Sequence, residues 1–209
     1  MNPETLIDRL ISEGYLKTPR IISAFRRVDR KLFLSDEFQG DFELNAPLPI
    51  GYGQTNSQPL TVAFMLEQLQ PGAGERILDI GSGSGWTTAL LAEIVGPDGL
   101  VYAMERVPQL RQFGESNVKK LGYQNVEFKT GDGSQGWPEH APYDVIEVAA
   151  AAQSVPDALI DQLAVTGRLL IPIGTEAGQD LTLLTKQPDN QCVSETFPGF
   201  AFVPLIMSS

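Results

Sequence analysis

The run Arg76-Ile77-Leu78-Asp79-Ile80-Gly81-Ser82-Gly83-Ser84-Gly85-Trp86-Thr87-Thr88 constrains this chain more than any other segment. It takes an apolar strand into a glycine-rich turn and then directly into a helix. Glycines tolerate positive φ and put no Cβ into the wall, so such a turn lets backbone N–H groups come close to a ligand. Asp79 stands just before the turn, and Glu105 ends the next apolar run twenty positions after Gly85. A carboxylate at that strand end suits a nucleoside whose ribose hydroxyls need an acceptor.

Around this run the chain alternates strand and helix patterns, which predicts an α/β fold with a mainly parallel sheet flanked by helices. Strands are expected at 76–80, 100–104, 126–130, 143–148 and 168–173, and helices at 86–95, 108–121 and 155–163. Gly122 fits a helix C′ position, and Pro108 and Pro156 fit helix starts. Before this core, Leu6, Ile7, Leu10 and Ile11, then Ile21, Ile22, Phe25 and Val28, repeat at helical spacing. Residues 180–186 and 200–206 read as two further strands of unassigned order. The expected organisation is one domain over 1–209, with an N-terminal helical segment (1–75) leading into the core and C-terminal strands (76–209).

Composition removes several chemistries. A net charge of −11, from 15 basic against 26 acidic residues, disfavours nucleic-acid partners, which call for a basic stripe. The tight basic clusters, Arg26-Arg27 with Arg30-Lys31 and Lys119-Lys120, read as solvated helix faces. The single histidine, His140, lies between two prolines and reads as a surface loop residue, which leaves no base for a Ser-His-Asp triad and no histidine-rich metal site. One cysteine, Cys192, allows no internal disulfide, and Met1-Asn2-Pro3-Glu4 lacks a signal-peptide pattern. Both predict a cytoplasmic protein, and no apolar run predicts a membrane span.

The segment Pro47-Leu48-Pro49-Ile50-Gly51-Tyr52-Gly53-Gln54-Thr55-Asn56-Ser57-Gln58-Pro59 leads into an apolar helix, 60–69, with Pro59 as its first residue. That places Ser57 or Gln58 near the N-cap. A serine there can cap the helix, or the same N-terminus can receive a ligand carboxylate. The residue types leave both open.

Gly81-x-Gly83-x-Gly85 differs from the dinucleotide pattern G-x-G-x-x-G, whose third glycine falls one residue later, and this disfavours a dinucleotide-dependent oxidoreductase. With Asp79 it resembles motif I of the class I S-adenosylmethionine-dependent methyltransferases. The 47–59 segment and 78–92 closely resemble the protein-L-isoaspartate O-methyltransferases within that class. Glu105-Arg106-Val107-Pro108, Gly131-Asp132-Gly133-Ser134, Gly136-Trp137-Pro138, Ala141-Pro142-Tyr143-Asp144, Ile171-Pro172-Ile173-Gly174 and Phe202-Val203-Pro204-Leu205 agree with the same family. The resemblance runs through essentially the whole chain in order.

The resemblance implies a Rossmann-like methyltransferase fold and methylation of the α-carboxylate of L-isoaspartyl residues (D-aspartyl more weakly), after which the ester closes to a succinimide. The cofactor is S-adenosyl-L-methionine, leaving as S-adenosyl-L-homocysteine, and the partners are isoaspartyl proteins and peptides met by a monomer. By the same resemblance Ser57 is the catalytic residue that orients the substrate carboxylate, and Gln54, Thr55 and Asn56 form the wall between substrate and cofactor. Asp79, Gly81, Ser82 and Gly83 cradle the methionine moiety, Glu105 accepts from the ribose with Arg106 alongside, Asp132 and Gly133 meet the adenine, and Gln179 contacts the peptide. Trp86 and Trp137 read as packing aromatics, and Asp144 as a residue that orients a loop.

Some residues depart from the family pattern. Asn56 stands where an apolar residue is usual, Phe42-Glu43-Leu44-Asn45 replaces a stretch that commonly carries tyrosine and aspartate, and 149–153 and Val165-Thr166-Gly167 are also atypical. Asn56 and Asn45 are expected on the substrate side. They leave open a methyltransferase for another peptide or small-molecule carboxylate. A non-enzymatic alternative is a cofactor-binding module that recognises damaged or partner proteins.

Overall fold

The computed structural model describes residues 5–175 and 177–207; the Met1–Glu4 segment read above for a targeting signal lies outside them. The chain enters through two short helices. In α1 (Leu6–Ser12) the Thr5 hydroxyl accepts from the Asp8 N–H while the Asp8 carboxylate accepts from the Thr5 N–H, so two of the free donors at the helix start are satisfied reciprocally. In α2 (Pro19–Arg27) the proline opens the first turn, and Ile21, Ala24 and Phe25 are buried along one face. Two 3-10 turns, Arg30–Phe33 and Asp36–Asp41, then lead to a hairpin of β1 (Leu48–Gly51) and β2 (Gln54–Asn56). This hairpin was not anticipated. Its tip needs positive φ at Gly51, Tyr52 and Gly53, a signal masked in the sequence by the tyrosine between the glycines.

Helix α3 (Pro59–Leu69) begins on its proline, as predicted. The core follows as β3 (Arg76–Ile80), α4 (Trp86–Val95), β4 (Leu100–Glu105), α5 (Pro108–Lys120), β5 (Val126–Thr130) and β6 (Tyr143–Val148). The first four expected strands and the first two expected helices match these elements to within a residue at each end, whereas the fifth expected strand, 168–173, is the middle of a longer one. After β6 the fit loosens. Helix α6 covers only Asp157–Asp161, Pro156 is its N-cap rather than its first residue, and β7 (Leu163–Thr175) begins where the helix was expected to end.

Strand β8 (Gly178–Lys186) contains the predicted 180–186, but 200–206 is not a strand. The last strand, β9 (Cys192–Phe200), lies upstream of it. Beyond Phe200 the ladder stops because Gln179 takes both the N–H and the C=O of Phe202, and Pro204 has no N–H to give. Residues 201–206 instead cross the sheet end as an extended strap, bridged once to Ala151 at Pro204.

The sheet order is β5-β4-β3-β6-β7-β8-β9. The first five strands are parallel and β8 and β9 are antiparallel additions, so the expected mainly parallel α/β fold holds. The chain moves outward from β3 to β5 and then returns to β6 on the other side of β3. That reversal opens a crevice beyond the carboxyl ends of β3 and β6, the place where open α/β sheets receive ligands. Arg168 on β7 ties α3 to the sheet by donating to the carbonyls of Leu69 and Gln70 and to the Glu75 carboxylate. Asp144, read as a residue that orients a loop, instead accepts from the Arg76 N–H at the start of β3.

The turn after β3 is pressed against α5. A Cβ on Gly85 would lie 2.9 Å from the Gly114 carbonyl oxygen, and a Cβ on Gly114 would lie 2.8 Å from the Gly83 carbonyl oxygen. Alanine is worth about 1 kcal/mol over glycine in a helix, whereas overpacking against backbone costs about 1–3 kcal/mol. Gly114→Ala should therefore lower the thermal midpoint. A raised midpoint in a melting experiment would show that α5 is free to shift away.

Candidate active site

A cavity of about 360 Å³ opens in this crevice. Its floor is the strand ends and following turns: Ile80, Gly81 and Gly83 after β3, Met104 to Val107 after β4, Gly131 and Gly133 after β5, and Ala149 and Ala150 after β6. One side wall comes from the hairpin and α3, through Ile50, Gln54, Thr55, Ser57, Gln58 and Thr61, and the strap 201–206 forms another.

The glycine-rich turn works by shape more than by free donors. The N–H groups of Gly81 and Ser82 both donate to the Met104 carbonyl, and the Gly83 N–H donates to Glu105. The turn needs its glycines for their backbone angles, φ +89° at Gly81, +51° at Gly83 and +86° at Gly85. Gly133 is fixed by packing: a Cβ there would sit 2.2 Å from Ile80 Cγ2.

Glu105 is held for a purpose its neighbours do not exhaust. Its Oε2 accepts from the Gly83 N–H and its Oε1 from the Val107 N–H, each at 2.9 Å, and the residue lines the cavity. Each carboxylate oxygen can take a second donor, which is what a ribose diol offers. Arg106 is exposed on the same rim. The Ser82 hydroxyl is buried in the turn without a hydrogen-bond partner among the described residues, and Ser82 itself does not line the cavity. The glycine turn and the fixed acceptor carboxylate of Glu105 fit the nucleoside of S-adenosylmethionine.

Asp79 does not line this cavity. It is fully buried behind the turn, where it accepts from the Thr88 hydroxyl of α4 and pairs in register with Glu147 of β6. As two carboxylates, Asp79 Oδ1 and Glu147 Oε2 would lack any donor. A proton on Glu147 supplies one, and the two carboxyls hydrogen-bond each other. Burial pushes Asp79 up to about 6, and burial beside Asp79 raises Glu147 well above the usual carboxylate range. The sequence did carry a signal for Glu147, a charged residue inside the apolar run Val145-Ile146-Glu147-Val148, but nothing in the pattern named its partner.

Of the remaining expected site residues, Gln54, Thr55 and Ser57 line the cavity and Asn56 does not. Asn56 is buried away from the cavity, where its Oδ1 accepts from Arg30 Nε at 2.8 Å and its Nδ2 donates to Ser84 Oγ at 3.1 Å. Asp132 lies beside the cavity and caps the following 3-10 turn by accepting from the Ser134 N–H and hydroxyl. Gln179 is also outside, and it clamps Phe202 of the strap.

Asn45 serves α3, its Oδ1 accepting from the Leu60 N–H at 3.0 Å. Arg30, read as part of a solvated face, is instead only 5% exposed and holds the 42–57 loop. Trp86 packs edge-on to Phe25, and Trp137 edge-on to Tyr102, consistent with packing roles. His140 is partly exposed and stacks on Tyr102. Among the described residues no group of three His, Cys, Asp or Glu is placed to hold a metal ion, and no helix is long and apolar enough to cross a membrane.

The carboxyl pair makes a pH-dependent prediction. Both groups keep protons in the folded state that the unfolded chain releases near pH 4, so the pair costs stability as pH rises through about 6 and beyond. Glu147→Gln keeps a donor to Asp79 and removes one titration. Its thermal midpoint should exceed that of the native chain at pH 8 by several degrees, with the gap closing toward pH 5. Parallel midpoint curves for the two proteins would mean that the pair shares no proton.

The comparisons with known proteins agree with this geometry. The family model for protein-L-isoaspartate(D-aspartate) O-methyltransferase (PCMT) matches residues 1–209. A protein-L-isoaspartate O-methyltransferase of Aeropyrum pernix is 46% identical over 202 residues, covering 96% of this chain and 78% of the relative. One from Gloeobacter violaceus is 41% identical over 201 residues, covering 96% of each chain. A solved structure from Plasmodium falciparum, assigned as a PCMT and holding S-adenosyl-L-homocysteine, superposes with a TM-score of 0.86 at 27% identity over 96% of both chains. With its fold, its cavity and its full length in agreement, this chain belongs to the protein-L-isoaspartate(D-aspartate) O-methyltransferase family.

Proposed function

We propose that this protein transfers the methyl group of S-adenosylmethionine to the α-carboxylate of L-isoaspartyl residues in aged proteins, initiating their repair. The observation that carries this reading is a single cavity bounded both by the Glu105 carboxylate with the glycine-rich turn and by Ser57. A cofactor on one side and an acceptor carboxylate on the other can meet there. The alternative acceptor motivated by Asn56 and Asn45 loses its ground, because neither side chain lines the cavity.

When bound, the cofactor supplies a methyl group on a cationic sulfur. The chain's own task is placement. A peptide α-carboxylate has a pKa of about 3.3–3.7 and is already ionised at neutral pH, so no base is needed to make the nucleophile. This suits a cavity whose lining includes no histidine. Ser57 donates its hydroxyl to one carboxylate oxygen, and Gln54 and Thr55 form the wall that holds the peptide in line with the reacting carbon. Glu105 accepts from the ribose, Arg106 covers its rim, Gly81, Ser82 and Gly83 shape the seat of the methionine moiety, and Asp132 and Gly133 border the adenine. Asp79 acts from behind by fixing the turn, and Gln179 by fixing the strap. The protein works as one domain over 1–209, as a monomer in the cytoplasm, without a nucleic-acid partner.

Labelled methyl should pass to an isoaspartyl peptide and not to the matching aspartyl peptide. Ser57→Ala removes a hydrogen bond to a charged group, about 1.5–3 kcal/mol, and should lower kcat/KM about 10- to 150-fold. Label on neither peptide, despite S-adenosylhomocysteine binding in a calorimeter, would discard the acceptor. Glu105→Gln should weaken that binding at least about tenfold, since one strong acceptor becomes a donor; unchanged affinity would remove Glu105 from the ribose site.

A further inference from the structure

Two elements that must handle different molecules are joined by a buried polar bridge outside the cavity. Asn56 precedes Ser57 on the acceptor wall, and its amide reaches in opposite directions. Its Oδ1 accepts from Arg30 Nε at 2.8 Å, and its Nδ2 donates to the Ser84 hydroxyl in the glycine-rich turn at 3.1 Å. Arg30 in turn donates to the carbonyl of Ser57, and the Ser84 carbonyl accepts from Asn117 Nδ2 of α5 at 3.1 Å. Asn56, Ser84 and Asn117 are all buried, so these bonds do not exchange with solvent and hold a fixed geometry. A second contact sits beside the bridge: Ile50 of β1 lies so near Gly83 that a Cβ there would be 3.1 Å from Ile50 Cδ1. An apolar side chain at 56 could make neither hydrogen bond.

We propose that Asn56 is a positioning residue for methyl transfer: through Ser84 it registers Ser57 and the 42–57 loop against the cofactor turn, so that ordering the turn also orders the acceptor wall. Touching neither ligand, Asn56 influences the reaction by setting the distance between the two walls. In-line transfer is sensitive to that distance, because a misplacement of about 1 Å can cost about 100-fold in rate. This inference rests on the methyltransferase reading for its kinetic consequence, and on the bridge alone for its structural one.

Two measurements test it. The first is hydrogen exchange of the amides at 42–46, which do not line the cavity, with and without saturating S-adenosylhomocysteine. The native chain should show at least about fivefold slower exchange there when the ligand is bound. Ser84→Ala, which leaves the Arg30–Asn56 bond in place, should still bind the ligand and lose that slowing. Asn56→Asp can accept from both Arg30 and the Ser84 hydroxyl, and should retain it.

The second is a double-mutant cycle on kcat with an isoaspartyl peptide. Asn56→Leu and Ser84→Ala should each lower kcat about tenfold, the double variant should fall no further than either alone, and Asn56→Asp should stay within about threefold of native. Losses that multiply to about a hundredfold would overturn the proposal. So would a lowered thermal midpoint with kcat intact, or equal ligand-dependent slowing in the native and Ser84→Ala proteins. Absence of methyl transfer in the native chain would count against the assigned acceptor only. The exchange experiment needs no acceptor and decides the bridge by itself.

Discussion

The acceptor wall depends on one buried cation. The five N–H donors of the Arg30 guanidinium are all in use: Nε on the Asn56 amide oxygen, Nη1 on the carbonyls of Phe42 and Leu44, Nη2 on those of Ala46 and Ser57. Its partners are neutral dipoles, and its plane lies over the Trp86 ring at 5.4 Å. Burial lowers its pKa to about 10, which still leaves it charged at neutral pH. The residues from 42 to 47 have no strand or helix of their own to satisfy their carbonyls, and a rigid planar fork does that work from the centre. A lysine, with three donors on one point, could not reach the same set.

The acidic residues of the site separate by environment into two kinds. Glu105 sits at the end of β4 between two backbone N–H donors, one on each carboxylate oxygen, with lone pairs left toward the cavity. Asp79 and Glu147, side by side on β3 and β6, have one hydroxyl and each other, and so hold a proton. The first arrangement can recognise hydroxyl groups. The second ties the central strands and α4 together beneath the turn, at a cost in stability that grows with pH. Both occur at the crevice where the strand order reverses, so the topology that makes a binding site also gathers the charges there.

Much of this was legible in the chain because the relevant signals are local. Strands β3 to β5 are short runs ended by glycine or charge and β6 follows a proline, and most of their boundaries follow from that. The C-terminal region was harder. Thr166 adopts φ +64° within β7, and Gln179 replaces ladder bonds with side-chain ones at Phe202, so residues 200–206, read as a strand, run as a strap. Arg30 and Asn56 were misread for the opposite reason. Arg30 sits among other basic residues and looks solvated, and Asn56 is adjacent to Ser57 and looks functional in the same way. What turns Asn56 away from the cavity is its pair of buried partners, Arg30 and Ser84, on elements distant in the chain. No single-sequence pattern announces a contact over 26 or 28 positions, as Arg30–Asn56 and Asn56–Ser84 require.

Of the two roles open to Ser57, cap or ligand contact, its surroundings remove the first. A serine this close to a helix start would ordinarily spend its hydroxyl on a first-turn N–H. Here α3 has no cap from its own flank, and Asn45, fifteen positions back in the chain, satisfies the Leu60 N–H instead. Arg30 takes the Ser57 carbonyl. The hydroxyl is left with no bond among the described residues, on a wall whose backbone is otherwise committed. That leaves a hydroxyl on the cavity wall that the fold itself does not use, next to a carbonyl fixed by Arg30. For the acceptor proposed above, already ionised in water, a fixed donor of this kind is the contribution the proposal asks of Ser57.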